Sequence, residues 1–282
     1  VRGTDPRVVL GLHRSGHQRR LLTAALDRGV TALDTSSNYL GHRSHSTLAR
    51  IAGDVLPRFE ISTKVGYFSQ AGKAAHSLEP ARLYAAVERA ARELGREPDL
   101  VFLHNPERSL TARSREALER ACATLADAAE KGLCGDWGIA SWNPAPLLEL
   151  VTPTTPKPSV LMVRAGLLVG ARTLDATDAL RRRWDLDPGA VHGMSPFGGS
   201  SRGPVWERFD PRVFLRDGGQ YTRAQAAFRT AYRLPRVGSI AVGTGDPVHL
   251  DQLLAVLNAE VDEEVVRGYR TLLRDRTRTQ SA

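Results

Sequence analysis

The chain has 282 residues, 41% of them hydrophobic, with 25 glycines and 16 prolines, ordinary globular usage that excludes a fibrous or a disordered polypeptide. No run approaches the ~18–20 unbroken apolar residues that a bilayer span needs, and the opening VRGTDPRVVLGLHRSG lacks a charged-then-apolar export segment, so a soluble cytoplasmic protein with no membrane partner is expected. The 39 basic and 31 acidic residues leave a net charge of +8, but arginines alternate with carboxylates in REALERA and VDEEVVRGYR, which reads as solvated helix surface and not as a nucleic-acid stripe.

Short apolar, β-branched runs recur along the chain: VVLGLH (8–13), TALDT (31–35), FEISTKV (59–65), LVFLHN (100–105), DWGIAS (136–141), VLMVRA (160–165), AVHGMSP (190–196) and SIAVGT (239–244). Each is a candidate strand. Helix-period segments lie between them, clearest over 78–95, where Leu83, Val87, Ala90, Ala91 and Leu94 form one apolar face, and over 111–132; both end in glycine. Buried-looking strands alternating with helices imply a parallel sheet, and a count of eight favours a single (β/α)8 TIM barrel domain over 1–282. The Pro/Thr-rich 151–159 is expected as an irregular connection between the fifth and sixth strands, 197–220 as a long loop after the seventh, and 262–274 as a last helix. Cys122 and Cys134 have no CxxC companion, so neither a disulfide framework nor a zinc knuckle is indicated.

In such a barrel the strand ends converge on one face, so polar residues ending apolar runs are the ones to weigh. Asp34 follows TAL, Lys64 follows EIST, His104 follows LVFL and Ser141 follows GIA. Only four residues are lysines, which sets Lys64 apart. A buried lysine needs a counter-charge, and Asp34, one strand over, is the expected partner. Tyr39, five residues past Asp34, can fold over the barrel mouth. Together they make a proton-donating tyrosine: lowering a phenol from a pKa of about 10 to about 7–8 takes two to three units, which a nearby ammonium would supply. His104 would hydrogen-bond the same substrate oxygen or relay a proton. The matching reaction is carbonyl reduction, and since no side chain donates hydride, a nicotinamide cofactor is implied.

LDTSSNYLG (33–41), ISTKVG (61–66), LVFLHNPE (100–107) and GIASWNP (138–144) resemble, in order and spacing, the signature segments of the aldo-keto reductase superfamily. The resemblance runs on to SIAVGTGDPVHLDQLL (239–254). It implies a (β/α)8 barrel reducing carbonyls, or oxidising alcohols, with NADP(H), NAD(H) being possible. It implies Tyr39 as general acid/base with Asp34, Lys64 and His104, and Ser141 and Asn143 on the nicotinamide carboxamide. Ser195, Phe197 and Gly198 would line the nicotinamide face, and Gly243, Thr244 and Gly245 would lie along the phosphates. Departures are Met162, with Arg164 beyond it, where a glutamine is common, Met194 where an aromatic commonly stacks, and Gly245 and His249 where basic residues commonly meet a 2′-phosphate, Arg202 being the other nearby candidate.

Ser141 and Asn143 are also suited to capping the following helix, and Phe68, Trp142, Phe197, Trp206 and Phe209 either line a substrate pocket or pack loops down. His13/His17 and His42/His45 have metal-like spacing, but at a strand end and in a loop without clustered carboxylates, so no metal is expected. The partner expected is a small-molecule carbonyl or alcohol, and the chain is expected as a monomer or weak homo-oligomer. The competing reading is the same barrel with altered or lost cofactor use, acting as a non-redox lyase, isomerase or binding subunit.

Overall fold

The eight apolar runs form the eight strands of one closed parallel barrel in the computed structural model, which describes residues 6–13, 15, 17–70, 73–110 and 114–281. The chain begins with β1 (Arg7–Gly11), α1 (Arg19–Asp27), β2 (Ala32–Asp34), the short turn α2 (Tyr39–His42), α3 (Ser44–Ala52) and β3 (Glu60–Val65). A hairpin follows, β4 (Tyr67–Gln70) and β5 (Lys73–His76), and then α4 (Pro80–Leu94), β6 (Leu100–His104), α5 (Ser114–Glu130), β7 (Asp136–Ser141) and α6 (Ala145–Leu150). The remainder is β8 (Val160–Arg164), α7 (Ala171–Arg183), β9 (Val191–Met194), α8 (Val205–Arg208), α9 (Arg223–Ala231), β10 (Ser239–Val242), α10 (Pro247–Ala255) and α11 (Glu263–Ser281).

Around the barrel the order is β1, β10, β9, β8, β7, β6, β3, β2. The antiparallel β4–β5 hairpin stands outside it and was not expected from the sequence. The expected helix over 111–132 is present from Ser114, residues 111–113 lying outside those described. The last helix runs on to Ser281. Segment 197–220 contains short helical turns, with Trp206 and Phe214 buried beneath it. Among the described residues, no helix is long and apolar enough to cross a membrane.

Period-two alternation divides the strand residues into two environments. Inside the barrel lie Val9, Ala32, Leu100, Phe102, Ala140, Met162 and Ala241; the other faces pack against the helices in a much larger cluster. Phe102 fills the interior because Gly138 faces it: a Cβ there would stand 2.9 Å from the ring and force a neighbour to shift. Helix α4 is the most regular of the outer elements. Glu79 accepts from the Arg82 backbone N–H at its start, Gly95 ends it at φ 73°, and Leu83, Val87, Ala90 and Leu94 face inward.

Helix α3 is fastened to the barrel by buried imidazoles. His17 Nε2 meets Ser44 Oγ at 2.7 Å, Ser44 Oγ meets Thr35 Oγ1 at 2.5 Å, and His45 Nε2 meets Thr63 Oγ1 at 2.7 Å. Burial pushes both histidines down from 6.5 to about 4, with Arg89 adding to the effect on His45. Between pH 6.5 and 4 the unfolded chain therefore binds more protons at these sites than the folded one, and stability falls as pH falls. The thermal midpoint should decline as pH is lowered from 6.5 towards 4, and decline less in His45→Gln. A midpoint independent of pH across that window would contradict the assignment.

Candidate active site

Strand register places the charged pair. Asp34 on β2 is level with Ser62 on β3, and Lys64 lies two residues further along the same face. Lys64 Nζ donates to Asp34 Oδ2 at 2.5 Å and to the Thr35 carbonyl at 2.9 Å, while Ser62 Oγ donates to Asp34 Oδ1 at 2.9 Å. Lys64 is 2% exposed and Asp34 5%. Burial acts to lower the Lys64 pKa, but Asp34, helped by Tyr39, reverses this and the net direction is upward, so the ammonium stays charged.

Tyr39 is carried over the barrel mouth by an unusual turn. Leu40 and His42, neither of them glycine, are left-handed at φ 51° and 65°, with Gly41 between them at 62°. Such backbone is sparsely populated by L side chains and recurs at functional loops. The ring sits with its centroid 5.5 Å from Lys64 Nζ and 5.0 Å from the His13 imidazole. Lys64 is close enough for its charge to act on the Tyr39 phenol. The Tyr39 pKa nevertheless lies above 10: burial raises it, Lys64 opposes, and Asp34 adds to the rise. The expected fall to about 7–8 is not met, because burial of the phenol, with a smaller contribution from the Asp34 carboxylate, outweighs the pull of Lys64. Tyr39 is a protonated phenol at rest.

His104 ends β6. Its Nδ1 lies 3.2 Å from Ser36 Oγ, its carbonyl accepts from His76 Nε2 at 2.7 Å, and the Tyr67 ring stands edge-on at 4.9 Å. Burial, then the Lys64 charge, keeps His104 well below the ordinary imidazole value, so it is neutral. All four side chains line one cleft of about 660 Å³, whose lining also includes Met194, Ser195, Phe197 and the Gly243–Gly245 loop.

The sequence profile of the Aldo/keto reductase family matches residues 13–199. The chain belongs to the aldo/keto reductase family. Its fold is also that of an aldo-keto reductase from Bacillus halodurans in its holo form (TM-score 0.75, 17% identity, 95% of this chain and 91% of that one). An aldo-keto reductase from Klebsiella pneumoniae in complex with NADPH (0.70, 18%, 95% and 91%) and an aldose reductase from Giardia lamblia (0.68, 14%, 96% and 93%) are similar to it as well. A comparison with curated protein sequences gave no match.

In this aldo/keto reductase Asp34, Tyr39, Lys64, His104, Met194, Ser195, Phe197, Gly243, Thr244 and Gly245 line the cleft, whereas Ser141, Asn143, Met162, Gly198 and His249 do not. Alternation explains the first case. Ala140 is the interior residue of β7, so Ser141 is fully buried on the opposite face. Its Oγ is buried without a hydrogen-bond partner, near Glu107, whose carboxyl burial raises. Asn143 Oδ1 accepts from the Ala145 N–H two residues on and its own backbone N–H donates to Glu107, but the N-cap of α6 is Pro144 and no side chain caps the helix, so the expected cap is not formed. Met162 is 1% exposed inside the barrel. Gly198 is held against Leu168, and His249 is exposed on α10 with Nδ1 3.4 Å from Thr244 Oγ1. Arg202, also exposed, is outside the cleft lining.

The cleft residues not named among the candidate site residues include His13, Asn38, Tyr67 and Asn105, and Trp142, weighed as pocket lining or loop packing, lines it as well. Trp142 is covered by the Arg164 guanidinium at 5.1 Å, and its N–H donates to both Asn105 and Glu107. Of the other aromatics considered, Phe68 lies under Arg82 in a separate pocket, Trp206 packs edge-on to Phe197, and Phe209 packs on Phe214 and Tyr269. No group of three or more His, Cys, Asp or Glu among the described residues is placed to hold a metal ion.

Lys64→Met strands a buried carboxylate, so the folded state should lose about 3–5 kcal/mol in urea unfolding. The double substitution Asp34→Asn, Lys64→Met removes the orphaned charge and should recover part of that loss. A single variant as stable as the parent would show that the pair is not buried as described.

Proposed function

We propose that the protein is an NADP(H)-dependent oxidoreductase interconverting a small carbonyl compound and its alcohol, with Tyr39 as proton donor in reduction. The convergence of a neutral phenol, a buried ammonium–carboxylate pair and a neutral imidazole on one cleft of a family barrel carries the reading. Family membership and the NADPH complex of the Klebsiella pneumoniae relative support the cofactor. So does the cleft itself: Gly245 has open space around its Cβ direction, and Ser195, at φ 56°, turns a second glycine-bearing loop along the same wall.

Met194, Ser195 and Phe197 would hold the nicotinamide end, and the backbone of Gly243–Gly245 the phosphates. A nicotinamide held there would supply the hydride for the substrate carbon. Tyr39 places its proton on the substrate oxygen, and Lys64 stabilises the phenolate charge as it develops, a stabilisation greater in the transition state than at rest. Asp34 keeps Lys64 oriented and charged throughout. His104, Tyr67 and Trp142 would bound the substrate. Among the described residues lining the cleft Lys64 is the only lysine or arginine, so no cation there contacts a 2′-phosphate remote from Tyr39. Discrimination against NADH should accordingly be modest, on the order of tenfold or less.

Tyr39→Phe should lower kcat/KM for aldehyde reduction by at least about a hundredfold while fluorescence titration shows NADPH affinity within about twofold of the parent. Full activity in this variant would remove the proton-donor assignment. Failure of the parent to bind either NADPH or NADH at millimolar concentration would favour the non-redox alternative, which the positions of Ser141, Asn143 and Met162 outside the cleft motivate.

A further inference from the structure

A second cavity, of about 310 Å³, is bordered by α3, α4 and the hairpin strand β4, and the proposed reaction makes no use of it. Its volume is at the lower end of the range for small-molecule pockets. Helix α4 supplies one wall. Arg82, Ala86, Arg89 and Glu93 follow one another at four-, three- and four-residue steps and so share a face, with Ala85 beside them. The two alanines leave space between the charged side chains. Tyr67 and Phe68 bring the hairpin to the same cavity.

The charges of this lining do not cancel. Glu93 is already engaged: its Oε1 accepts from Arg89 Nε at 2.7 Å, and its Oε2 stands 3.7 Å from His45 Nδ1. His42 and His45 carry no charge at neutral pH, because burial, with Arg89 adding to it, holds both below the ordinary imidazole value. Arg82 is left over. Its guanidinium lies over the Phe68 ring, 4.2 Å from the centroid, and among the described residues no carboxylate pairs with it. An arginine supported on an aromatic face is held in place with its N–H donors available at the guanidinium edge, where a carboxylate is taken up by two parallel hydrogen bonds.

We infer that this cavity is a second ligand site, taking a flat aromatic carboxylate whose ring lies against Tyr67 and the α4 alanines and whose carboxylate pairs with Arg82. The excess positive charge disfavours a cation. A bare inorganic anion would leave the apolar wall unused, and an uncharged ring would leave Arg82 unpaired. Tyr67 also lines the catalytic cleft, so an occupant of the cavity borders the reacting site without entering it. The inference does not rest on the reductase reading.

Equilibrium dialysis of the full chain without cofactor against 2-naphthoate tests the site. The parent should bind with a Kd below about 1 mM. Arg82→Ala should weaken binding by at least about tenfold, and so should Ala86→Phe, which keeps every charge and fills the space. Tyr39→Phe, a change in the catalytic cleft, should leave the affinity within about twofold. 2-Naphthol and inorganic phosphate should each bind at least about tenfold more weakly than 2-naphthoate. No binding by the parent up to about 10 mM overturns the proposal, as does an unchanged affinity in either Arg82→Ala or Ala86→Phe. Arg82 is exposed, so Arg82→Ala decides the matter if Ala86→Phe does not fold. Loss of binding in Tyr39→Phe also overturns it, by moving the ligand to the catalytic cleft. Phosphate or 2-naphthol binding as tightly as 2-naphthoate overturns the ligand class.

Discussion

The site is organised around one buried ion pair. Lys64 and Asp34 are almost wholly removed from solvent, and neither is tenable there alone, since an unpaired buried charge costs several kcal/mol. The closed barrel makes the pairing possible, because neighbouring parallel strands hold the two side chains on the same interior face one pleat apart. Everything else at the mouth takes its position or charge state from that pair. The Thr35 carbonyl fixes the ammonium, Ser62 fixes the carboxylate, and the Tyr39 loop folds over both. Burial, outweighing the opposing pull of Lys64, leaves Tyr39 its proton, and burial together with the Lys64 charge keeps His104 neutral.

A layer of hydroxyls and imidazoles supports this arrangement. Ser36 ties the residues after β2 to His104, while Ser44 and His45 at the start of α3 reach back to Thr35 and Thr63, each beside a member of the pair. The strained turn carrying Tyr39 is thus bracketed by buried hydrogen bonds, which is how left-handed residues such as Leu40 and His42 are maintained. The segment between Asp34 and Ala52 combines function and anchorage.

Much of this was legible in the sequence. The eight strands stand out because each is a short apolar run bounded by polar or turn residues, and Asp34, Lys64 and His104 because each interrupts such a run at its C-terminal end. What was missed follows from two limits. Ser141 was chosen for its place at the end of β7, but counting in twos from Gly138, which faces Phe102, shows that Ala140 and not Ser141 points inward; the pleat was legible and was not used. The β4–β5 hairpin, by contrast, carries Tyr67 into the cleft and turns Phe68 away to Arg82. Its strands are short and polar, with no apolar period to announce them. Nor does Tyr39 reveal its acidity in sequence, since that depends on burial outweighing a neighbouring charge.

Difference titration of the near-ultraviolet phenolate absorbance, parent against Tyr39→Phe, tests the balance between the ion pair and the phenol most directly. If Lys64 is neutralised by Asp34 and burial governs, Tyr39 retains its proton at neutral pH and ionises only above pH 10. Ionisation near neutrality would contradict the account, showing that the ammonium acts as an uncompensated charge and that the pair does not set the state of the site.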